Sequence, residues 1–211
     1  LVDSEFPVRV NAGIGLYRLL GQPETAEALT PVLQKVLQIY LSLIDQMDNE
    51  ELLMALEALI ARFENEIQPF ALELVQHLTN TFYKALNDEK EDEEDGEDEE
   101  KTFASSECLS AIVRIIKCEL GKETVAKIEE IVFPIIQYSL TEEGTDFIYS
   151  GLDILGALIS KNDTISPKLW QFFCELNYIM AGKPDELLVT NFAHLSEEKK
   201  NLIREQSTGW G

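Results

Sequence analysis

Eleven carboxylates crowd into thirteen residues at Asp88, Glu89, Glu91, Asp92, Glu93, Glu94, Asp95, Glu97, Asp98, Glu99 and Glu100, interrupted only by Lys90 and Gly96. Numbers alone do not make acid–base chemistry, which needs a pair of groups held in a pocket with their pKa values pushed apart. A calcium loop is also a poor fit. Counting around Gly96, the first and third ligand positions lack Asp or Asn. Carboxylates at this density suit the attraction of a basic partner, whose encounter they accelerate. These eleven residues are therefore the candidate binding residues. Their mutual repulsion predicts an extended arm projecting from between two helices.

Other reactive side chains are sparse. His77 lies between Val75 and Leu78 in a helical pattern, and His194 lies near the end of the chain. Neither has the spacing of a metal site. Cys108, Cys118 and Cys174 form no C-x-x-C pair and sit in apolar stretches, which reads as reduced core cysteine. Gly13, Gly15 and Gly21 are not spaced for phosphate, and no P-loop, dinucleotide fingerprint or nucleophile elbow occurs. The expectation is a protein that is not an enzyme, with no cofactor and no metal. The aromatics Phe70, Phe82, Trp170, Phe172 and Phe173 recur at helical spacing and read as packing residues, with an outer groove for short aromatic peptides as the functional alternative.

The whole chain has a net charge of -22 and is 45% hydrophobic. That sign argues against direct binding of nucleic acid or of anionic membrane surfaces. No apolar run approaches the ~18 residues of a membrane span, so no membrane insertion is expected. Asn162-Asp163-Thr164 matches a glycosylation sequon but reads more simply as a capping turn. The chain begins Leu1-Val2-Asp3, which reads as a piece of something longer.

The elements that must carry the acidic run are helices in a repeated pattern. A small residue followed by large apolar residues four and eight positions on occurs as Ala12-Leu16-Leu20, Ala55-Leu59-Phe63, Cys108-Ile112-Ile116 and Gly151-Leu155-Ile159. The i, i+4, i+8 spacing keeps each trio near one helix face. Successive offsets are 43, 53 and 43 residues, and the long one contains the acidic run. A period of about 40–47 residues is that of HEAT and armadillo arrays. Partner helices are expected over 31–46, 69–87, 122–141 and 167–181. Pro31, Pro69 and Pro167 lie at three of the starts, and Pro134 is expected to kink the third partner. The predicted fold is all-α: a HEAT-repeat α-solenoid of about four helical-hairpin repeats, a fragment of a longer superhelix. Residues 1–181 form the partial array with its acidic loop at 88–100, and 182–211 form a divergent C-terminal segment or cap.

Several stretches in this order resemble the importin-β (karyopherin-β) family, on the importin-seven and importin-eight side. They are Phe6-Pro7-Val8-Arg9-Val10-Asn11-Ala12, Thr30-Pro31, Glu66-Ile67-Gln68-Pro69 before Ala71-Leu72-Glu73-Leu74, Gln76-His77-Leu78, the acidic insert, and Ile165-Ser166-Pro167-Lys168-Leu169-Trp170. The resemblance implies a nuclear import receptor that carries basic protein cargo such as ribosomal proteins or histones. It implies regulation by Ran-GTP, contact with phenylalanine-glycine nucleoporins, and shuttling between cytoplasm and nucleus through the pore. The alternative is a HEAT scaffold subunit of another complex.

Overall fold

The computed structural model describes residues 1, 3–47, 49–91, 98–162, 165–170 and 172, without the side chains of 88–91 and 98–103. Eight α-helices lie among them: α1 (Phe6–Leu16), α2 (Pro23–Leu29), α3 (Leu33–Gln46), α4 (Glu50–Arg62), α5 (Ala71–Glu91), α6 (Asp98–Lys117), α7 (Lys122–Tyr138) and α8 (Ile148–Lys161). A further helical stretch begins at 167. No strand occurs among the described residues. The chain forms two compact units, residues 1–131 and 132–211, which divide within α7.

In the first unit the helices stack as two layers of hairpins. α1 packs on α4 and α4 on α6, while α3 packs on α5. The hairpin partners α3 with α4 and α5 with α6 link the layers. Sequence dictates this through apolar stripes. α3 buries Leu33, Val36, Leu37, Tyr40, Leu41, Leu43 and Ile44, and α4 buries Leu52, Leu53, Ala55, Leu56, Leu59 and Ile60. α4 starts sharply because the Asn49 side chain accepts the Leu52 N–H at 2.9 Å, and Glu50 and Glu51 favour the positive end of the helix dipole. Pro31 and Pro69 each stand two residues before a helix, in turns rather than in the helices they announce. Thr30 does not cap: its hydroxyl donates back to the Ala26 carbonyl at 2.9 Å.

Three of the four trios are buried as expected: Ala55, Leu59 and Phe63; Cys108, Ile112 and Ile116; Gly151, Leu155 and Ile159. The first departs from the pattern. Ala12 is exposed and Leu16 half-buried, and the small residue at the close approach is Gly13. A Cβ there would lie 3.1 Å from Leu52 Cδ2 and 3.5 Å from Leu43 Cδ1. α1 stops at Leu16 and tightens into a 3-10 turn at Tyr17–Leu19, which rotates the following residues off the α-helical face. The Gly13 carbonyl is one of the last four of α1, which lack a partner within the helix. It accepts the Tyr40 hydroxyl from α3 at 2.6 Å. Burial pushes that phenol above its ordinary pKa, so it stays a donor. α2 is an element that the apolar pattern does not announce.

In the second unit, α8 buries Gly151, Leu152 and every residue from Ile154 to Ile159. A Cβ on Gly151 would lie 2.8 Å from the Ser139 Cβ, so only glycine admits this approach. The Phe147 ring is buried, with its centroid 6.4 Å from that of Tyr138. Ser166 caps the last helical stretch, its hydroxyl accepting the Leu169 N–H at 3.2 Å, and Leu169 and Phe172 are buried beyond it. Phe173, Cys174, the rest of 173–181, and the divergent segment 182–211 with His194 lie outside the described residues.

Candidate protein-docking surface

The acidic run differs in part from its sequence expectation of an extended arm. Residues 88–91 continue α5 as its last turn, and Asp98, Glu99 and Glu100 open α6. Residues 92–97 lie outside the described residues. Helix forms at both edges although the charge density opposes it. Two physical terms bear on this. α5 and α6 pack along each other, so their ends inherit stability from a buried stripe that includes Leu78, Phe82, Ala104, Cys108 and Leu109. Carboxylates placed in the first turn of α6 also favour its dipole, whereas those placed in the last turn of α5 oppose it. The described candidates, Asp88, Glu89, Glu91, Asp98, Glu99 and Glu100, thus belong to one end of a single hairpin.

A second acidic surface lies on α4 and α6, and sequence reading did not find it. Glu50, Met54 and Glu57 share a face of α4 at i, i+4 and i+7. Met54 is 51% exposed. Glu107 on the neighbouring α6 is half-buried, and its carboxyl is held above the usual carboxylate range by burial first, then by repulsion from Glu57 and Glu50. A signal was present: Met54 and Glu107 each immediately precede the small residue of a trio, so the repeat places them in corresponding positions.

The remaining reactive groups are placed as packing residues. His77 of α5 has its Nε2 2.9 Å from Asp45 Oδ1 of α3, without the alignment of a hydrogen bond. The buried hydroxyls of Thr79 and Ser105 have no hydrogen-bond partner. Cys108 and Cys118 are buried, and the Cys118 Sγ donates to the Arg114 carbonyl at 3.4 Å. Phe82 and Phe172 are buried, Phe70 and Trp170 half-buried. No group of three or more potential metal ligands occurs among the described residues, and none of their helices is long and apolar enough to cross a membrane.

Hairpins of amphipathic helices stacked through small residues, and the absence of strands among the described residues, define an all-α chain of the HEAT-like solenoid class. The comparisons sharpen that class. The chain is 30% identical over 175 residues to a probable importin-7 homolog of Dictyostelium discoideum, covering 82% of this chain and 16% of the relative. It is 29% identical over 174 residues to an importin beta-like SAD2 homolog of Arabidopsis thaliana, covering 82% and 17%. It is 28% identical over 172 residues to human importin-8, covering 80% and 16%. No protein-family model matches, and no solved structure matches significantly. The chain belongs to the importin-β family, near its importin-7 and importin-8 members. It spans about a sixth of the length of the curated relatives it matches.

Proposed function

We propose that this chain is the cargo-binding segment of a nuclear import receptor, taking basic proteins such as histones or ribosomal proteins rather than catalysing a reaction. Its parent protein would be regulated by Ran-GTP, would meet phenylalanine-glycine nucleoporins, and would shuttle between cytoplasm and nucleus. The observation that carries the reading is the run of eleven carboxylates that ends α5 and opens α6, in a chain similar to importins. The second acidic surface on α4 and α6 supports it. Nothing in this mechanism requires nucleic acid, a membrane, a metal or a cofactor. Attraction between the run and a basic partner acts over about one Debye length, ~8 Å at physiological ionic strength, so the contact should weaken with salt.

The test replaces residues 88–100 with a Gly-Ser segment of equal length and measures histone binding at low and physiological salt. The expected result is a loss of about tenfold in affinity at low salt, with a shallower salt dependence. Unchanged binding at both salt concentrations would remove the acidic run from the mechanism. Failure of the full-length parent to capture Ran-GTP and nucleoporins would leave a HEAT scaffold as the better reading.

A further inference from the structure

We propose that Thr30 is a phosphorylation site for a proline-directed protein kinase, and that phosphate there loosens α2. The chain has two hydroxyl residues followed by proline, Thr30-Pro31 and Ser166-Pro167. Their settings differ. Thr30, Pro31 and Val32 are all exposed, in the 3-10 turn that joins α2 to α3. Ser166 is half-buried, and its hydroxyl holds the N–H of Leu169, a residue that is itself buried. A kinase must draw the acceptor and its neighbours out of the fold and into its own cleft. At Thr30 little resists this, because α2 has seven residues and buries only Ala26. Segments with few buried contacts open most readily.

The transfer balances with ATP as the donor. Thr30 Oγ1 bonds to the γ-phosphorus, the bond to the leaving ADP breaks, and the hydroxyl proton passes to the base of the kinase. The product carries a charge of about −1.5 to −2 at pH 7. Before transfer, the hydroxyl and the N–H of Thr30 both donate to the Ala26 carbonyl, at the negative end of the α2 dipole. Afterwards the hydroxyl donor is gone, and the phosphate lies beside carbonyls that repel it. No basic side chain stands in the last turn of α2, and Glu24 and Glu27 add to the repulsion. α3 responds in the opposite sense. It starts at Leu33 without a side-chain cap and without an acidic residue in its first turn, so an anion near that end favours its dipole. Seven buried side chains also hold it in place. The phosphate therefore acts on α2 and spares α3. The inference does not rest on cargo binding, since a scaffold would carry the same site.

The experiment incubates the full chain with ATP and a purified mitogen-activated protein kinase, and maps the phosphate by mass spectrometry. Thr30 should carry about ten times the phosphate of Ser166, reflecting how readily each segment opens. Thr30→Val should lose that label and keep whatever Ser166 takes, and Pro31→Ala should lose most of it. Amide exchange in the phosphorylated chain should quicken by about tenfold in α2 and stay the same in α3 and α4. No label at Thr30, or equal labelling of Ser166, would overturn the site. Full labelling of Pro31→Ala would overturn the class of kinase. A labelled chain whose α2 exchanges as before, or whose helices all quicken alike, would overturn the loosening of α2.

Discussion

α1 and α4 occupy successive places in one layer and carry the same small-large-large signature, yet the signature describes only α4. In α4 the trio Ala55, Leu59 and Phe63 is buried to its last member. In α1 the corresponding Ala12 is exposed, and the close approach is made one residue later by Gly13. The periods agree; the backbones do not. α4 is a regular helix from a capped start to Arg62, so an i, i+4, i+8 pattern maps onto one face. α1 carries Gly13 and Gly15, weak helix formers, and gives way to a 3-10 turn before its third trio position is reached. A repeat signature thus locates an element more reliably than it fixes the element's rotation.

The largest expected effect sharpens that contrast directly. Leu59 is fully buried, and Leu59→Ala removes its packing and leaves a cavity. A loss of about 2–5 kcal/mol is expected. The equivalent change in α1, Leu16→Ala, acts on a half-buried side chain and should lose only about 1 kcal/mol. Chemical denaturation of both variants reads the difference. Equal losses would mean that α1 packs as α4 does, and the distinction between them would collapse.

The next effect compares two glycines in their own units. At Gly151 an added methyl would meet the Ser139 Oγ, which can turn about its χ1, and lie 2.8 Å from the Ser139 Cβ, which the backbone holds in place. Gly151→Ala should destabilise by about 2–3 kcal/mol, and Ser139→Gly in the same chain should recover most of it. At Gly13 the nearest atoms are the far ends of Leu52 and Leu43, which can yield a few tenths of an ångström. The gain in helix propensity, about 1 kcal/mol for alanine over glycine, offsets that crowding, so Gly13→Ala should be close to neutral. A large loss at Gly13 would show that α1 is held as tightly as α8.

Much of this architecture is legible in the sequence. Both layers, the starts near Pro31 and Pro69, and three buried trios follow from apolar spacing and turn chemistry, because long amphipathic helices leave little freedom in which face they bury. α2 was missed because Pro23–Leu29 has seven residues and buries only Ala26, too little to show a period. At the acidic run the sequence signal concerned the local chain, and local repulsion predicts extension. The helical turns at 88–91 and 98–100 instead follow from the hairpin that α5 and α6 form beneath them. The face bearing Glu50, Glu57 and Glu107 was hidden for another reason. Glu107 lies fifty residues or more beyond the other two in sequence, and only stacking of α4 on α6 brings it to them.

The smallest effect tests what holds α1 in its offset register. Tyr40 is fully buried, and its hydroxyl donates to the Gly13 carbonyl at 2.6 Å. Tyr40→Phe keeps the ring and its packing but leaves that carbonyl unpartnered. A buried acceptor stripped of its donor should destabilise by about 1–2 kcal/mol. The change should be local: amide protection should fall in α1, whose C-terminal end loses its tie to α3, and should persist in α4 and α6, which make no use of the phenol. If Tyr40→Phe proves neutral, water reaches Gly13. The one-residue offset of α1 would then be set by Leu43 and Leu52 closing around a residue without a side chain, and hydrogen bonding would have no part in it.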